Sequence, residues 1–273
     1  MLFISVVDNA HLSARQLILA LLDSAPAPQI RAASLIAAGA LFDMDPGAIR
    51  VATARLVREG VLESTERGVY TVGGGGAGLH RTVLSWANLE DTLKPWTGEW
   101  LAVYLGNLKR TNKTTVRARE RALQLKGFAS IDPGLAVRPA NLKASLPELL
   151  NDLRLLGLDA SAGLYRIAES AGAAGFAALW DTDGLAALYQ HHLDEIARST
   201  RGIAELSPRA AAKETLLIGR AAIRDILRDP LLPAELVDSR LRRELVSRMK
   251  AYDRLGKSCW RAFYGDVGKA DQR

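Results

Sequence analysis

Residues 45–72, DPGAIRVATARLVREGVLESTERGVYTV, decide the fold of this chain. Asp45 before Pro46 is a strong helix start, because an aspartate N-cap accepts hydrogen bonds from the first free amides and proline suits the first helical position. The helix is predicted over 46–59, and Gly60 ends it, since glycine readily adopts the conformation that closes many helices. A helix with a defined start and end therefore organises the N-terminal part of the chain.

A short hairpin and two further helices are predicted around this segment. Strands at 61–65 and 69–72 flank a turn at 66–68. Two helices precede it, over 12–23 and about 29–41, because their leucines and isoleucines recur at helical spacing. Three helices followed by a small hairpin are typical of a winged helix-turn-helix DNA reader.

The third helix has a core face and a DNA-facing side. Ile49, Ala52, Thr53 and Leu56 are expected to be buried, and the side chains predicted to meet DNA are Arg50, Val51, Ala54, Arg55 and Arg58. A recognition helix reads bases with its N-terminal half, so Arg50 and Ala54 are assigned to base edges, whereas Arg55 and Arg58 suit phosphates. The alternative for Arg58 is an ion pair with a nearby glutamate on a solvated face.

The turn of the predicted hairpin carries a further DNA-binding candidate. Arg67 lies at its tip, where it is expected to contact a phosphate or the minor groove. Glu66 beside it opposes this contact by its negative charge.

Composition bounds the class of protein. The chain has 273 residues, 48% of them apolar, and one cysteine, Cys259. No segment approaches the roughly 18 uninterrupted apolar residues of a membrane span, so no membrane partner is expected. A single cysteine excludes an intramolecular disulfide, and we expect a cytoplasmic protein.

Positive charge is concentrated in the middle of the chain. The net charge is +6, and residues 81–143 carry 11 lysines and arginines against 5 acidic residues. Most of the excess lies in and just before a basic helix predicted over 114–126. Two interpretations remain open for this helix, a solvated face or a site for phosphate groups.

The order of predicted elements indicates three consecutive domains in an α+β, helix-rich protein. The winged helix occupies 1–78 and ends in a linker formed by the glycine-rich run 73–78. Segment 79–175 begins with a bridging helix over 79–93 and continues in a β-α-β-β-α-β order, which suggests a ferredoxin-like core. Segment 176–273 is predicted to be helical and is assigned to dimerisation and effector sensing.

Four segments together resemble the PaaX family, the repressors of phenylacetate catabolism. They are AIRVATARLVREGVLE at 48–63, WTGEW at 96–100, GFASIDPGLAVRP at 127–139 and RDPLLPAEL at 228–236. The resemblance implies a winged helix, a central domain like the Cas2 ferredoxin-like fold and a helical C-terminal domain. It also implies a dimeric repressor of an aromatic catabolic operon, released from double-stranded operator DNA by an aryl-coenzyme A thioester.

Five residues are candidates for binding such an effector: Trp100, Arg117, Arg121, Tyr189 and Arg224. The two aromatic side chains suit stacking on an aryl group, although core packing is the alternative use of both. The arginines of the basic helix, with Arg119 between them, suit the phosphates of a thioester. Arg224 suits the carboxylate of a free aromatic acid.

An enzyme is not expected, and no catalytic residue, metal site or cofactor is assigned. A Cas2-like nuclease needs a carboxylate at the end of its first central strand, where this chain has Leu105-Gly106-Asn107. His191 and His192 are adjacent, so on a helix they point about 100° apart and share a metal poorly. The alternative to an effector-controlled repressor is an architectural or regulatory DNA-binding protein without a ligand.

A homodimer on a palindromic operator is expected, because one winged helix reads few base pairs and two-fold symmetry calls for inverted half-sites. The dimer contact is placed in helices over 207–264. Their apolar stripe exceeds what one domain needs; it comprises Leu216, Leu217, Ile218, Ile223 and Leu227.

Overall fold

A computed structural model describes residues 12–24, 29–169 and 173–270 of the chain. It is a helix-rich α+β protein with two small sheets, which confirms the predicted class. The helices are α1 Ala14–Ser24, α2 Ala32–Ala40, α3 Pro46–Arg58, α4 Gly74–Leu84, α5 Lys113–Leu125, α6 Leu146–Leu156, α7 Thr182–Gly202, α8 Pro208–Ile226 and α9 Arg240–Ala270. The strands are β1 Gln29–Arg31, β2 Leu62–Glu66, β3 Val69–Val72, β4 Trp100–Tyr104, β5 Ala129–Asp132, β6 Leu135–Pro139 and β7 Gly163–Ile167. Within the described residues, no helix combines the length and the apolar character needed to cross a membrane.

The chain divides into two compact units, each assembled from separate stretches of sequence. Among the described residues, those from 12 to 87, 191 to 224 and 245 to 270 belong to the first unit, and those from 88 to 190 and 225 to 244 belong to the second. The division therefore differs from the three consecutive segments expected from the sequence, because C-terminal helices contribute to both units.

The core of the first unit joins the N-terminal helices to the C-terminal ones. Leu17 of α1, Leu35 of α2 and Leu56 of α3 are buried in one cluster with residues of α8 and α9, namely Ala212, Leu216, Trp260 and Phe263. The apolar stripe of α8 is thus not surplus at Leu216, whose side chain packs within its own chain. Leu216 therefore gives no reason to expect a dimer contact, whereas Leu217, Ile218, Ile223 and Leu227 are not in this buried cluster.

The small sheet of the first unit has the order β1-β3-β2, with both pairs antiparallel. The predicted hairpin is present, with Gly68 in its turn at φ 75°, a conformation that favours glycine. Strand β1 was not predicted: residues 29–31 were assigned to the second helix, which begins only at Ala32.

The glycine run 73–78 is not a linker. Helix α4 begins at Gly74, and a Cβ atom at Gly73 would lie 2.5 Å from the carbonyl oxygen of Gly60. A Cβ atom at Gly76 would lie 2.6 Å from the carbonyl oxygen of Val61. The glycines let the start of α4 pack closely on the backbone of Gly60 and Val61, which follow α3. The bridging helix predicted over 79–93 is instead the second half of α4 followed by a 3₁₀ helix, Ser85–Thr92.

The second unit contains an antiparallel sheet of order β5-β6-β4-β7, and its elements follow the chain order β4-α5-β5-β6-α6-β7. Alternation along β4 separates two faces. Leu101 and Val103 pack with buried leucines of α5 and α6, whereas Trp100 and Ala102 lie on the opposite face.

Candidate nucleic-acid interface

The start of α3 is set by its N-cap. The Asp45 carboxylate accepts hydrogen bonds from the amides of Gly47 and Ala48, at 2.7 and 3.3 Å, and Pro46 occupies the first turn. These contacts satisfy amides that the helix itself leaves free. The first turn of α3, where a recognition helix meets base edges, is therefore rigidly defined.

The two faces of α3 are those predicted, except that Ala52, expected to be buried, is only partly buried. Ile49, Thr53 and Leu56 are buried, at spacings of four and three residues, and the Thr53 hydroxyl donates to the Ile49 carbonyl at 2.8 Å. The five candidate DNA-binding residues of this helix are all exposed, namely Arg50, Val51, Ala54, Arg55 and Arg58. Val51 is 69% exposed.

The arginines of α3 are available to a partner. Across residues 12–24, 29–169 and 173–270, no acidic side chain lies within ion-pair distance of Arg50, Arg55 or Arg58. The nearest glutamate in sequence, Glu59, is engaged by Arg15 at 2.7 Å. The alternative in which Arg58 pairs with a neighbouring glutamate is therefore not realised.

The hairpin turn adds Arg67, which is exposed at its tip. Strand β1 brings a second arginine beside it, because Arg31 pairs with Val69 in the sheet and the amide of Ala32 donates to the Gly68 carbonyl at 2.8 Å. Arg31 is exposed and precedes α2. Arg31 is not among the candidates from sequence, because the pattern of a three-residue strand is too short to separate from that of the helix that follows.

Acidic residues moderate the charge of the hairpin. Glu63 and Glu66 are exposed on β2, whereas the exposed charges of α3 are arginines. The positive potential of this surface is consequently strongest along α3 and weaker at the hairpin.

The effector candidate Trp100 is a core residue. Its side chain is 5% exposed, and its ring lies 5.3 Å from Trp96, 5.1 Å from Phe176 and 6.1 Å from Trp180. The first two contacts are edge-to-face, which is a favoured arrangement for buried aromatic pairs. The alternative considered for this tryptophan, core packing, is the one that the structure has.

Tyr189 is also buried, in a polar network that spans the second unit. Its hydroxyl donates to Asp229, whose carboxylate also accepts from the Leu231 amide at 2.6 Å. Arg242 donates to Glu90 at 2.7 Å and lies 3.6 Å from Asp229. Burial raises the pKa of Asp229 and that of Tyr189. The network holds the 229–233 turn, so the Tyr189 hydroxyl is engaged in a structural hydrogen bond with Asp229.

The arginines of α5 have different environments. Arg117 is exposed and Arg121 is partly buried, whereas Arg119 is 3% exposed and forms two hydrogen bonds with Asp159, at 2.7 and 3.1 Å. The Arg119 guanidinium lowers the pKa of Asp159. Arg119 therefore stabilises the second unit and is not part of an open phosphate site.

The five effector candidates do not form one cluster. Helix α5, with Arg117 and Arg121, packs on the face of the sheet opposite Trp100, because successive residues of β4 alternate between faces. Arg224 lies near the end of α8 and belongs to the first unit. In the described parts of the chain, no group of three His, Cys, Asp or Glu side chains is arranged to hold a metal ion.

Comparison with known proteins supports the fold alone. No protein-family model matches the chain, and no curated protein matches it. Among solved structures it is similar to uncharacterized protein Rv0674 from Mycobacterium tuberculosis, with 22% sequence identity and a TM-score of 0.65. The similarity covers 93% of this chain and 100% of that one.

Proposed function

We propose that this protein is a DNA-binding transcriptional repressor that reads its operator with α3. The observation that carries the proposal is the exposed side of α3, where Arg50, Arg55 and Arg58 have no acidic partner among the described residues. Unpaired arginines on a capped helix beside a hairpin suit the major groove and its flanking phosphates.

The contacts in this proposal follow from position along α3. Arg50 and Ala54 lie in its first half and meet base edges with Val51, whereas Arg55 and Arg58 lie farther along and meet phosphates. Arg67 contacts the backbone or the minor groove from the hairpin. This first unit then acts as a winged helix-turn-helix, with α2 and α3 as its two DNA-binding helices.

Membership of the PaaX family is the second part of the proposal. It rests on the four sequence segments and on the second unit, whose β-α-β-β-α-β order and strand order β5-β6-β4-β7 are those of a ferredoxin-like core. The regulated genes are then those of an aromatic catabolic operon, and the protein acts as a homodimer on a palindromic operator.

Release by an aryl-coenzyme A thioester or an aromatic acid is the third part. Arg117 is exposed and Arg121 is partly exposed, so these two remain candidates for thioester phosphates, and Arg224 remains the candidate for a free carboxylate. A ligand releases the operator only by favouring a state that binds DNA less well.

A regulatory or architectural DNA-binding protein without a small-molecule ligand is the second candidate. The burial of Trp100 and Tyr189 favours it, because both aromatic side chains proposed to stack on an aryl group are committed to internal contacts.

Two linked experiments test the proposal. Selection of bound duplexes from a random DNA pool yields the operator, and a sequence with inverted repeats supports a dimeric reader. Operator release is then titrated with phenylacetyl-coenzyme A, phenylacetate and an unrelated thioester, on the wild type and on Arg117→Ala, Arg121→Ala and Arg224→Ala. Enrichment of no sequence contradicts the operator reader, whereas an operator that no ligand releases favours the ligand-free candidate.

A further inference from the structure

The second unit has an exposed aromatic surface at one end of its sheet. Tyr104 of β4 is 50% exposed and Tyr165 of β7 is 56% exposed. In the antiparallel register Ala102 pairs with Tyr165 and Tyr104 pairs with Gly163, so both tyrosines lie on the same face as Trp100. Aromatic side chains cover the Trp100 end of this face, whereas the two tyrosines lie at the uncovered end.

Both tyrosine side chains lean along their strands, so that the hydroxyl end of each ring lies over a glycine. A Cβ atom at Gly106 would lie 2.6 Å from the Tyr104 Oη and 2.8 Å from its Cζ. A Cβ atom at Gly163 would lie 2.5 Å from the Tyr165 Oη and 2.7 Å from its Cζ. The hydroxyl end of each ring therefore occupies the space where any residue other than glycine would place its side chain. We call this pair of rings the tyrosine platform.

The two tyrosines lie diagonally across the β4–β7 pair, and their side chains lean in the same direction. The Tyr165 ring lies over Gly163, which is the residue paired with Tyr104, and the Tyr104 ring extends toward Gly106 beyond the end of β4. Because β4 and β7 are antiparallel, both rings extend toward the same end of the sheet.

A positively charged loop lies at that end. Lys109, Arg110 and Lys113 are exposed between β4 and the first turn of α5, and we call them the basic loop. Arg110 donates to the Pro133 carbonyl at 3.0 Å, and Arg119 donates to the Lys109 carbonyl at 3.1 Å. The loop is thereby tied to the end of the sheet. Asp132 is an exposed acidic residue at this end, and Asp159 is paired with Arg119, so the three cations of the basic loop leave a positive local balance.

We propose that the tyrosine platform and the basic loop bind single-stranded nucleic acid, with unpaired bases stacked on the rings and phosphates beside the loop. Exposed aromatic rings on a sheet, with cationic side chains at the same end of that sheet, are what such binding requires, because every base has a face that stacks and every phosphate carries a negative charge. Duplex DNA does not fit this surface, since its bases are stacked on one another. The site belongs to the second unit, whereas α3 belongs to the first, and it adds single-strand binding to the duplex binding proposed for α3.

Charge favours this occupant over a second copy of the chain. A symmetric interface centred on the platform would bring two copies of the same basic loop into one contact, where like charges repel. A polyanion, by contrast, neutralises the loop.

The test uses the full chain and a fluorescein-labelled 12-nucleotide oligo(dT), which has no internal base pairing, with a duplex of the same length as comparison. Fluorescence anisotropy is expected to show oligo(dT) binding that Tyr104→Ala/Tyr165→Ala weakens about tenfold or more. Tyr104→Phe/Tyr165→Phe keeps the stacking rings and is expected to bind as the wild type does. Leu155→Ala, at a side chain 76% exposed on α6 of the same unit, is the matched control and is expected to change nothing.

Two further variants test the position of the rings and the charge of the basic loop. Gly106→Ala/Gly163→Ala keeps both tyrosines but displaces their rings, and it is expected to weaken oligo(dT) binding while leaving duplex binding unchanged. Lys109→Gln/Lys113→Gln is expected to lower the slope of log affinity against log salt by about 1.4, at about 0.7 per phosphate contact.

The proposal is overturned if the wild type does not bind oligo(dT), or if the double alanine variant binds it as tightly as the wild type. It is also overturned if the double alanine variant converts a dimer into a monomer in sedimentation, because the platform would then belong to a second copy. Photocrosslinking of bromouracil oligonucleotides to the peptides that contain Tyr104 or Tyr165 supports it directly.

Discussion

The guanidinium of Arg242 donates to the Glu90 carboxylate at 2.7 Å, although 152 residues separate the two in sequence. The same guanidinium donates to the Leu232 carbonyl at 3.1 Å. Arg242 is 3% exposed and Asp229 is 6% exposed, so this is a charge network inside the second unit. It connects the C-terminal contribution to that unit with the segment that precedes β4.

Loss of Arg242 is expected to be strongly destabilising. Arg242→Met removes the cation while Asp229 stays buried and Glu90 partly buried, and breaking a buried pair from one side costs about 3–5 kcal/mol. Chemical denaturation followed by circular dichroism measures the loss. The control is Arg240→Met, whose ion pair with Asp238 is on the surface and is expected to contribute little. Equal midpoints for the two variants would contradict a structural role for the buried network.

The packing of α4 predicts opposite outcomes for two neighbouring glycines. Gly76→Ala forces a Cβ atom against the Val61 carbonyl oxygen and is expected to destabilise the first unit by about 1–3 kcal/mol. Gly74→Ala meets no atom within 4 Å, and it is expected to be neutral or stabilising by up to about 1 kcal/mol, because alanine restricts the unfolded chain more than glycine does. Thermal denaturation of both variants is the measurement. Indistinguishable melting temperatures would indicate that 73–78 behaves as a linker.

Substitutions of Arg50 and Arg67 are expected to affect DNA binding in different ways. Arg50→Ala is expected to cost about 1–3 kcal/mol on the selected operator and to relax the preference for one base pair. Arg67→Ala is expected to weaken binding to all duplexes and to reduce the salt dependence, because the proposed function places Arg67 on the DNA backbone or in the minor groove. Anisotropy on operator and scrambled duplexes measures both effects, with Arg198→Ala, at a side chain 70% exposed on α7, as the control. Unchanged operator affinity for Arg50→Ala would remove α3 from the major groove.

Alkaline pH is expected to destabilise the first unit through Tyr252. Burial raises the pKa of its hydroxyl to about 12, and that hydroxyl lies 2.7 Å from the Ser199 hydroxyl. A group whose pKa is higher in the folded than in the unfolded chain holds its proton more tightly when folded. Stability is therefore full below pH 10, the ordinary value for tyrosine, and falls as pH rises toward 12.

Denaturation midpoints at pH 9, 10 and 11 test this direction. Tyr252→Phe lowers stability at pH 9 by removing a buried hydrogen bond, but the variant is expected to lose less on going to pH 11 than the wild type does. A parallel decline of both proteins would place the alkaline sensitivity on other tyrosines, among which Tyr264 and Tyr189 also have raised pKa values.

Local signals in the sequence were enough for the element that carries the proposed function. Asp45 and Pro46 start α3. The spacing of Ile49, Thr53 and Leu56 gives its buried face, and the arginines are expected on the remaining, exposed side. These features depend on residues within about two helical turns of one another, so they can be derived from the order of residue types alone.

Tertiary structure decided everything that depends on distant residues. Residues 73–78 were expected to be a linker, but α4 begins among them and packs closely on Gly60. Residues 29–31 were expected to be helical, but they form a strand that pairs with β3. Burial committed Arg119 to Asp159, 40 residues away, and Tyr189 to Asp229, also 40 residues away. The sequence alone does not distinguish a tryptophan or arginine in a core from one in a binding site. The sheet places Trp100 on the face opposite α5, among buried aromatic side chains, and this placement identifies Trp100 as a core residue.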